Sequence, residues 1–301
     1  PAHKAVSHRC AAESMVLLRN NGILPLDPDK IRTLAVIGPN SDSRLALEGN
    51  YCGTADRYIT FLEGIQDAFP GRVLYAQGCH LFQDRVSNLA MAGDRYAEAV
   101  TAAEHADAVV LCLGLDATME GEEGDTGNEF SSGDKPDLRL PEPQRMLLEK
   151  IMAVGKPVIA VVAAGSAIHL EQQPDAHLHV WYPGSEGGKA LAEILFGTVS
   201  PSGKLPVTFY ASADQLPDFT DYAMQGRTYR YAQQNVEYPF GYGLTYGKIV
   251  CTAFSCLVCI RFWRVRWRLR CFFRRLRRCR VRRLAILIFR PHWKSTSRSL
   301  T

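Results

Sequence analysis

The chain has 301 residues, of which 47% are hydrophobic, enough for a substantial core, and a formal net charge of +4. That charge joins two unlike parts: from Cys251 to Thr301 there are 14 Arg and one Lys with no Asp or Glu (+15), whereas the first 250 residues set 20 basic against 31 acidic side chains (−11). No run of about 18 uncharged apolar residues occurs, and the opening PAHKAVSHRC lacks a basic stretch followed by an apolar one, so neither a transmembrane helix nor a signal peptide is expected. Because the first residue is Pro1 rather than Met, the sequence reads as starting inside a longer chain or after processing.

In chain order, residues 6–20 fit a helix, with Ala11, Met15, Val16 and Leu18 on one face. Strand-like apolar runs follow at 33–37, 73–76, 108–113, 158–163 and 177–181, and 206–210 reads as a later edge strand. Between them, 62–69, 96–105, 143–154 and 186–196 carry helical patterning. This alternation predicts an α/β fold, a parallel sheet covered by helices. In open sheets of this kind functional loops gather at the carboxyl ends of strands, here after Ile37, Leu113, Ala163 and Trp181.

After Tyr246 the pattern gives way to RFWRVRWRLRCFFRRLRRCRVRRLAILIF, in which Arg alternates irregularly with Trp, Phe, Leu and Cys. One reading is a basic aromatic segment that binds phosphates or an anionic lipid surface. The favoured reading is a translated wrong frame or intron, since no nucleic-acid-binding motif is present. Five of the nine cysteines lie in this tail, and the single Cys256-x-x-Cys259 pair has no second half and no histidine at finger spacing. No metal, nucleotide or redox cofactor is implied.

The densest acidic stretch is Gly114-Leu115-Asp116-Ala117-Thr118-Met119-Glu120-Gly121-Glu122-Glu123-Gly124-Asp125. Five carboxylates beside the end of an apolar strand create a like-charge setting that raises a carboxyl pKa towards neutrality, as a general acid requires. A solvated acidic loop is the plain alternative. No G-x-x-x-x-G-K-[ST] loop is present, Gly38-Pro39-Asn40 is too short for a dinucleotide fingerprint, and Gly165-Ser166-Ala167 lacks the G-x-S-x-G elbow. Ser166 therefore reads as a turn or helix cap, and His105 and His169 as structural histidines.

Taken together, HRCAAESMVLLRNNGILPL (8–26), LAVIGPNSDSRLALEGNYCGT (34–54), GLDATMEGEE (114–123), LRLPEPQRMLLEKI (138–151), GKPVIAVVAAGSAI (155–168), WYPGSEGGKALAEILFGTVSPSGKLPVTF (181–209), GRTYRY (226–231) and YPFGYGLTY (238–246) resemble family 3 glycoside hydrolases. The resemblance is to the β-xylosidase, arabinosidase and β-glucosidase branch, in matching order and spacing over about four fifths of the chain. It implies a linker and entry helix over 1–30 and the C-terminal α/β sandwich domain over 31–246, a three-layer sandwich with a mixed, mainly parallel six-stranded sheet between helices; the Arg-rich tail over 247–301, by its change of composition, reads as no native domain.

The resemblance also implies a retaining, exo-acting β-glycosidase in which a barrel aspartate is the nucleophile and a sandwich glutamate the acid/base, two carboxyl groups about 5 Å apart. The loop alignment places Glu122 best as acid/base, with Glu120 second and Glu123 third. Asn50 and Tyr51 fall in a loop that approaches the active-site mouth in relatives, and Arg227 and Tyr229 are further sugar-contacting candidates, although packing of the C-terminal arm over the sheet suits that pair better. Pro183-Gly184-Ser185-Glu186-Gly187-Gly188 reads as a structural turn with Ser185 capping the next helix. Lys135 stands where relatives commonly carry the Arg of a G-D-R sequence, losing a bidentate guanidinium.

The expected partners are a β-linked xyloside or glucoside and the barrel domain, with no nucleic acid or membrane unless the tail is genuine. The expected location is secreted, envelope or lysosome-like for a full-length relative. Without a barrel the chain is expected to be inactive or nearly so. The alternative is a carbohydrate- or partner-binding module without catalysis.

Overall fold

The computed structural model describes residues 2–84, 89, 91–121, 135, 137–218, 220–232 and 236–247. The chain divides into two compact units, 1–248 and 249–301, and the second, with the basic-tail readings, lies outside the described residues.

Helix α1 (Ala2–Ser14) leads into β1 (Val16–Asn20), and β2 (Thr33–Ile37), α2 (Phe61–Ala68), β3 (Arg72–Ala76), α3 (Arg95–Glu104), β4 (Ala108–Gly114), α4 (Glu142–Ala153), β5 (Val158–Ala163), β6 (Ala176–His179) and α5 (Gly187–Leu195) follow. The six strands form one sheet in the order β1-β6-β5-β4-β2-β3, parallel except for β1, which pairs antiparallel with β6. The expected α/β three-layer sandwich with a mixed sheet is the one observed. Strands β4, β5 and β6 are buried along their whole lengths, which is why β4 and β5 read as continuous apolar runs, whereas β6 alternates Ala176 and Leu178 with His177 and His179.

Side-chain alternation divides that sheet between two cores. Leu34, Val36, Val110, Cys112, Ile159, Val161 and Leu178 face α1, α2 and α5. Ala35, Ile37, Val109, Leu111, Leu113, Ala160 and Val162 face α3 and α4. Helices α2 and α5 approach closely because both present glycine at the crossing: a Cβ on Gly188 would lie 1.9 Å from the Thr60 carbonyl oxygen, and one on Gly64 2.2 Å from the Gly188 backbone.

Three expectations are corrected. The proposed helix over 6–20 ends at Ser14, and Val16–Asn20 is a strand. Val16, Leu17 and Leu18 are all at most 1% exposed, so they satisfy both a helical face and a strand buried on both sides; pairing with β6 decides for the strand. The run at 206–210 is not an edge of the main sheet. It contributes only β7 (Phe209–Tyr210), which pairs with β8 (Val236–Tyr238) beyond the short helix α6 (Thr228–Tyr231), because Pro206 brings no N–H to a ladder. The sixth strand of the sheet is β1 instead. Finally, the residue preceding α5 is Glu186, with no side-chain cap; Ser185 accepts a backbone bond from Ile59 N at 2.9 Å.

A third, smaller cluster covers the β1–β6 edge where no helix reaches. Val16 and Leu18 meet Leu205 and Phe209, with Ala167, Trp181, Tyr238 and Tyr242 around them. Among the described residues no helix is long and apolar enough to cross a membrane.

Candidate active site

The site forms where β4, β5 and β6 end side by side. Strand β4 closes on Gly114, whose φ of +130° suits glycine; a Cβ there would lie 1.9 Å from the Ala163 carbonyl oxygen. The buried Gln144 of α4 brackets this residue, accepting from Gly114 N at 2.8 Å and donating to Gly114 O at 2.7 Å. The following turn is built on Asp116, 5% exposed, whose Oδ1 accepts from Thr118 N at 2.9 Å and from Thr118 Oγ1. Its carbonyl accepts from Met119 N and Glu120 N, both at 3.0 Å, which directs Glu120 across the strand ends.

Glu120 ties the three strand-end loops together. Its Oε2 accepts from Gly165 N at 2.6 Å, after β5, and from the Tyr182 hydroxyl at 2.5 Å, after β6; its Oε1 accepts from the Ser166 hydroxyl. Both carboxylate oxygens are thus committed to donors of the domain itself. From the loop after β2, Asn50 Nδ2 donates to the Glu120 carbonyl at 2.9 Å. Tyr182 reaches this position because Trp181 takes a left-handed backbone (φ +56°), held by the indole N–H donating to Ser14 O at 3.1 Å. Gly49 and Gly165 leave room for the ring: a Cβ on either would come within 3.3 or 3.1 Å of it.

Burial, reinforced by the negative Glu120, pushes the Tyr182 hydroxyl far above the usual tyrosine range, so it stays a proton donor at any ordinary pH. Lys135 donates from Nζ to Ala167 O beside the same cluster. Burial lowers its pKa to about 8, an effect that Glu120 and Asp137 partly oppose.

Among the sequence candidates, Asn50 and Glu120 are brought together, while Glu122 and Glu123 lie outside the described residues. Tyr51 is 85% exposed at φ +58°. Arg227 and Tyr229 line a groove of about 840 Å³ with Val207, Tyr210, Met224 and Phe240, a groove whose lining does not include Glu120. Arg227 donates to the carbonyls of Asp218 (3.0 Å) and Asp221, and the Tyr229 and Phe240 rings lie 4.8 Å apart. Ser166 donates to Glu120 instead of capping a turn or helix, and Tyr182, which is not among the sequence candidates, is a further Glu120 partner. The signal for both in the sequence is position alone, since each follows a strand end at which functional loops gather. His169 keeps its structural reading, with Nδ1 2.9 Å from Glu237 Oε2. No cluster of three or more His, Cys, Asp or Glu suited to a metal occurs among the described residues.

A model of the glycosyl hydrolase family 3 C-terminal domain matches residues 15–246. The chain belongs to glycosyl hydrolase family 3. This family 3 domain is 37% identical over 262 residues to β-D-xylosidase 1 of Arabidopsis thaliana, covering 82% of the chain and 31% of that protein. It is 35% identical to a periplasmic β-glucosidase of Salmonella typhimurium, covering 81% of the chain and 35% of that enzyme. A solved β-glucosidase from Erythrobacter marinus superposes with a TM-score of 0.67 at 36% identity, over 81% of the chain and 35% of its own. The chain therefore spans about a third of the length of these relatives.

Proposed function

We propose that this family 3 domain is the acid/base half of a retaining, exo-acting β-glycosidase that removes terminal β-xylosyl or β-glucosyl residues. The observation that carries the assignment is the engagement of Glu120: with three donors on its two oxygens, it is a pin for the loop rather than a free proton carrier. Glu122, two residues on, is then the general acid that protonates the leaving oxygen and afterwards the base that activates water, and Glu123 ranks behind both. Asn50 holds the loop backbone and Tyr51 offers an exposed ring at the same end of the sheet. The nucleophilic aspartate and most contacts to the terminal sugar come from a barrel domain partner, so the chain alone is inactive or nearly so. A secreted or envelope location is proposed from the periplasmic relative.

The test is hydrolysis of aryl β-xyloside and β-glucoside by the purified chain, beside Glu122→Gln. No turnover in either is expected. Turnover by the chain that Glu122→Gln abolishes would mean that a nucleophile lies within these 301 residues, and the half-site reading would fail.

A non-catalytic carbohydrate-binding role is favoured by one feature, the groove with exposed Tyr229 and Phe240 rings, which suit stacking on sugar faces. It predicts heat on titration with xylose, glucose or short oligosaccharides that is insensitive to Glu122→Gln; absence of heat would exclude it.

A further inference from the structure

The segment 205–244 closes the β1–β6 edge through a seam built on two histidines. His177 and His179 alternate along β6, are 3% and 0% exposed, and point to the side away from Ala176 and Leu178. The arm returns aromatic edges to them: Tyr238 lies 6.5 Å from His177 at 74°, and Phe209 lies 5.2 Å from His179 at 81°. Trp181 stands 4.3 Å from His179 at 80° and 6.2 Å from Phe209. His177 Nε2 and both ring nitrogens of His179 complete no hydrogen bond among the described residues, although the Ala164 carbonyl lies near enough to His179 to favour a proton there.

The charged and titratable groups around the pair offer it little relief. His169 lies close enough to oppose a charge on His177, and Lys135 opposes one on His179, as the two histidines oppose each other. Arg19 is the register partner of His177 on β1, and Tyr238 and Tyr242 pack against each other on the arm. On the arm, Glu237, beside Tyr238, is paired to His169.

We infer that this seam is an acid-labile latch: protonation of His177 and His179 releases the arm 205–244 from the sheet edge while the rest of the sandwich stays folded. A proton placed on either ring in the closed state would sit in an aromatic pocket with no acceptor completing a bond and cations nearby. In the open state both rings reach water. In the closed state burial pushes the pKa of both rings down to about 3 from an ordinary value of 6.5. As pH falls below the ordinary value, open histidines take up protons and closed ones do not, so the open-to-closed ratio rises about tenfold per pH unit for each histidine. Backbone pairing of the arm with the sheet runs through Leu244 N to Leu17 O at 2.8 Å, while Leu205 N to Tyr242 O, also 2.8 Å, ties the two ends of the arm to each other. The inference does not depend on the catalytic reading.

Hydrogen exchange of the whole chain, read by mass spectrometry and corrected for intrinsic rates, tests it. Between pH 7 and about 5, protection across 205–210 and 236–244 is expected to fall several hundredfold relative to β4 and β5. Glu237→Gln should keep this response, and the His177→Phe/His179→Phe double variant should lose it. Should the double variant not fold, nitrogen-15 spectra of the wild-type histidine rings decide: neutral signals for both while the arm is protected are expected. The latch is overturned if the arm stays protected at about pH 5, if it opens only together with β4 and β5, or if either ring becomes an imidazolium with the arm closed.

Discussion

Replacing Tyr182 by Phe removes one oxygen from the centre of the strand-end cluster and leaves the ring packed between Gly49 and Gly165. The lost bond is 2.5 Å long and ends on the Glu120 carboxylate. Hydrogen bonds to charged groups contribute about 1.5–3 kcal/mol, and removing a partner costs most when it orphans the other group. Glu120 would not be orphaned, since Oε2 keeps Gly165 N at 2.6 Å and Oε1 keeps Ser166. The expected loss is therefore near the lower limit, about 1.5–2 kcal/mol. With a urea m-value of about 2.5 kcal/mol/M, the unfolding midpoint should move down by roughly 0.7 M at neutral pH. A cycle with Glu120→Gln should return a coupling of about 1 kcal/mol or more between the two side chains. A midpoint shift below about 0.2 M, or no coupling, would refute the view that Glu120 is held as a pin.

Gly114→Ala places a Cβ 1.9 Å from a backbone oxygen at φ +130°, so it should cost more than about 3 kcal/mol or prevent folding, as seen in thermal melts and soluble yield. Gly188→Ala, 1.9 Å from Thr60 O, should destabilise the α2–α5 crossing comparably, whereas Gly155→Ala, with open space around it, should be milder and lose only the left-handed preference. Lys135 has a folded pKa of about 8 against 10.5, so the unfolded chain binds more protons between those values and wild-type stability gains with rising pH there. Relative to Lys135→Met, the wild type should gain up to about 3 kcal/mol between pH 8 and about 10.5, measured as paired urea midpoints; a pH-independent difference would remove the buried-ammonium reading.

The parts of the fold that were readable from sequence are those where one local pattern admits one structure. Strands β4 and β5 are unbroken apolar runs buried on both faces, and β5 falls on the expected 158–163. Met15 to Leu18 admits two structures, because its spacing suits a helical face and a doubly buried strand alike. The choice is made by β6, whose His179 pairs with Val16 from 163 positions away. The same distinction separates the legible from the hidden parts of the site. Carboxylates at the end of β4 are visible in the sequence, but which glutamate is engaged depends on Ser166 and Tyr182 arriving from the two neighbouring strands. Arg227 and Tyr229 show the reverse case: their residue types suit sugar contact, yet they line a groove formed by the arm rather than meeting Glu120.

The most direct test of the half-site account combines the chain with a separately expressed family 3 barrel domain and assays aryl β-xyloside hydrolysis, with wild type, Glu120→Gln and Glu122→Gln compared. The account predicts turnover only in the combined sample, lost by at least about a hundredfold in Glu122→Gln and recovered when the aryl leaving group needs no protonation, whereas Glu120→Gln chiefly lowers stability. Combined turnover that survives Glu122→Gln but vanishes in Glu120→Gln, with the fold intact, would contradict it and make the pinned carboxylate the acid.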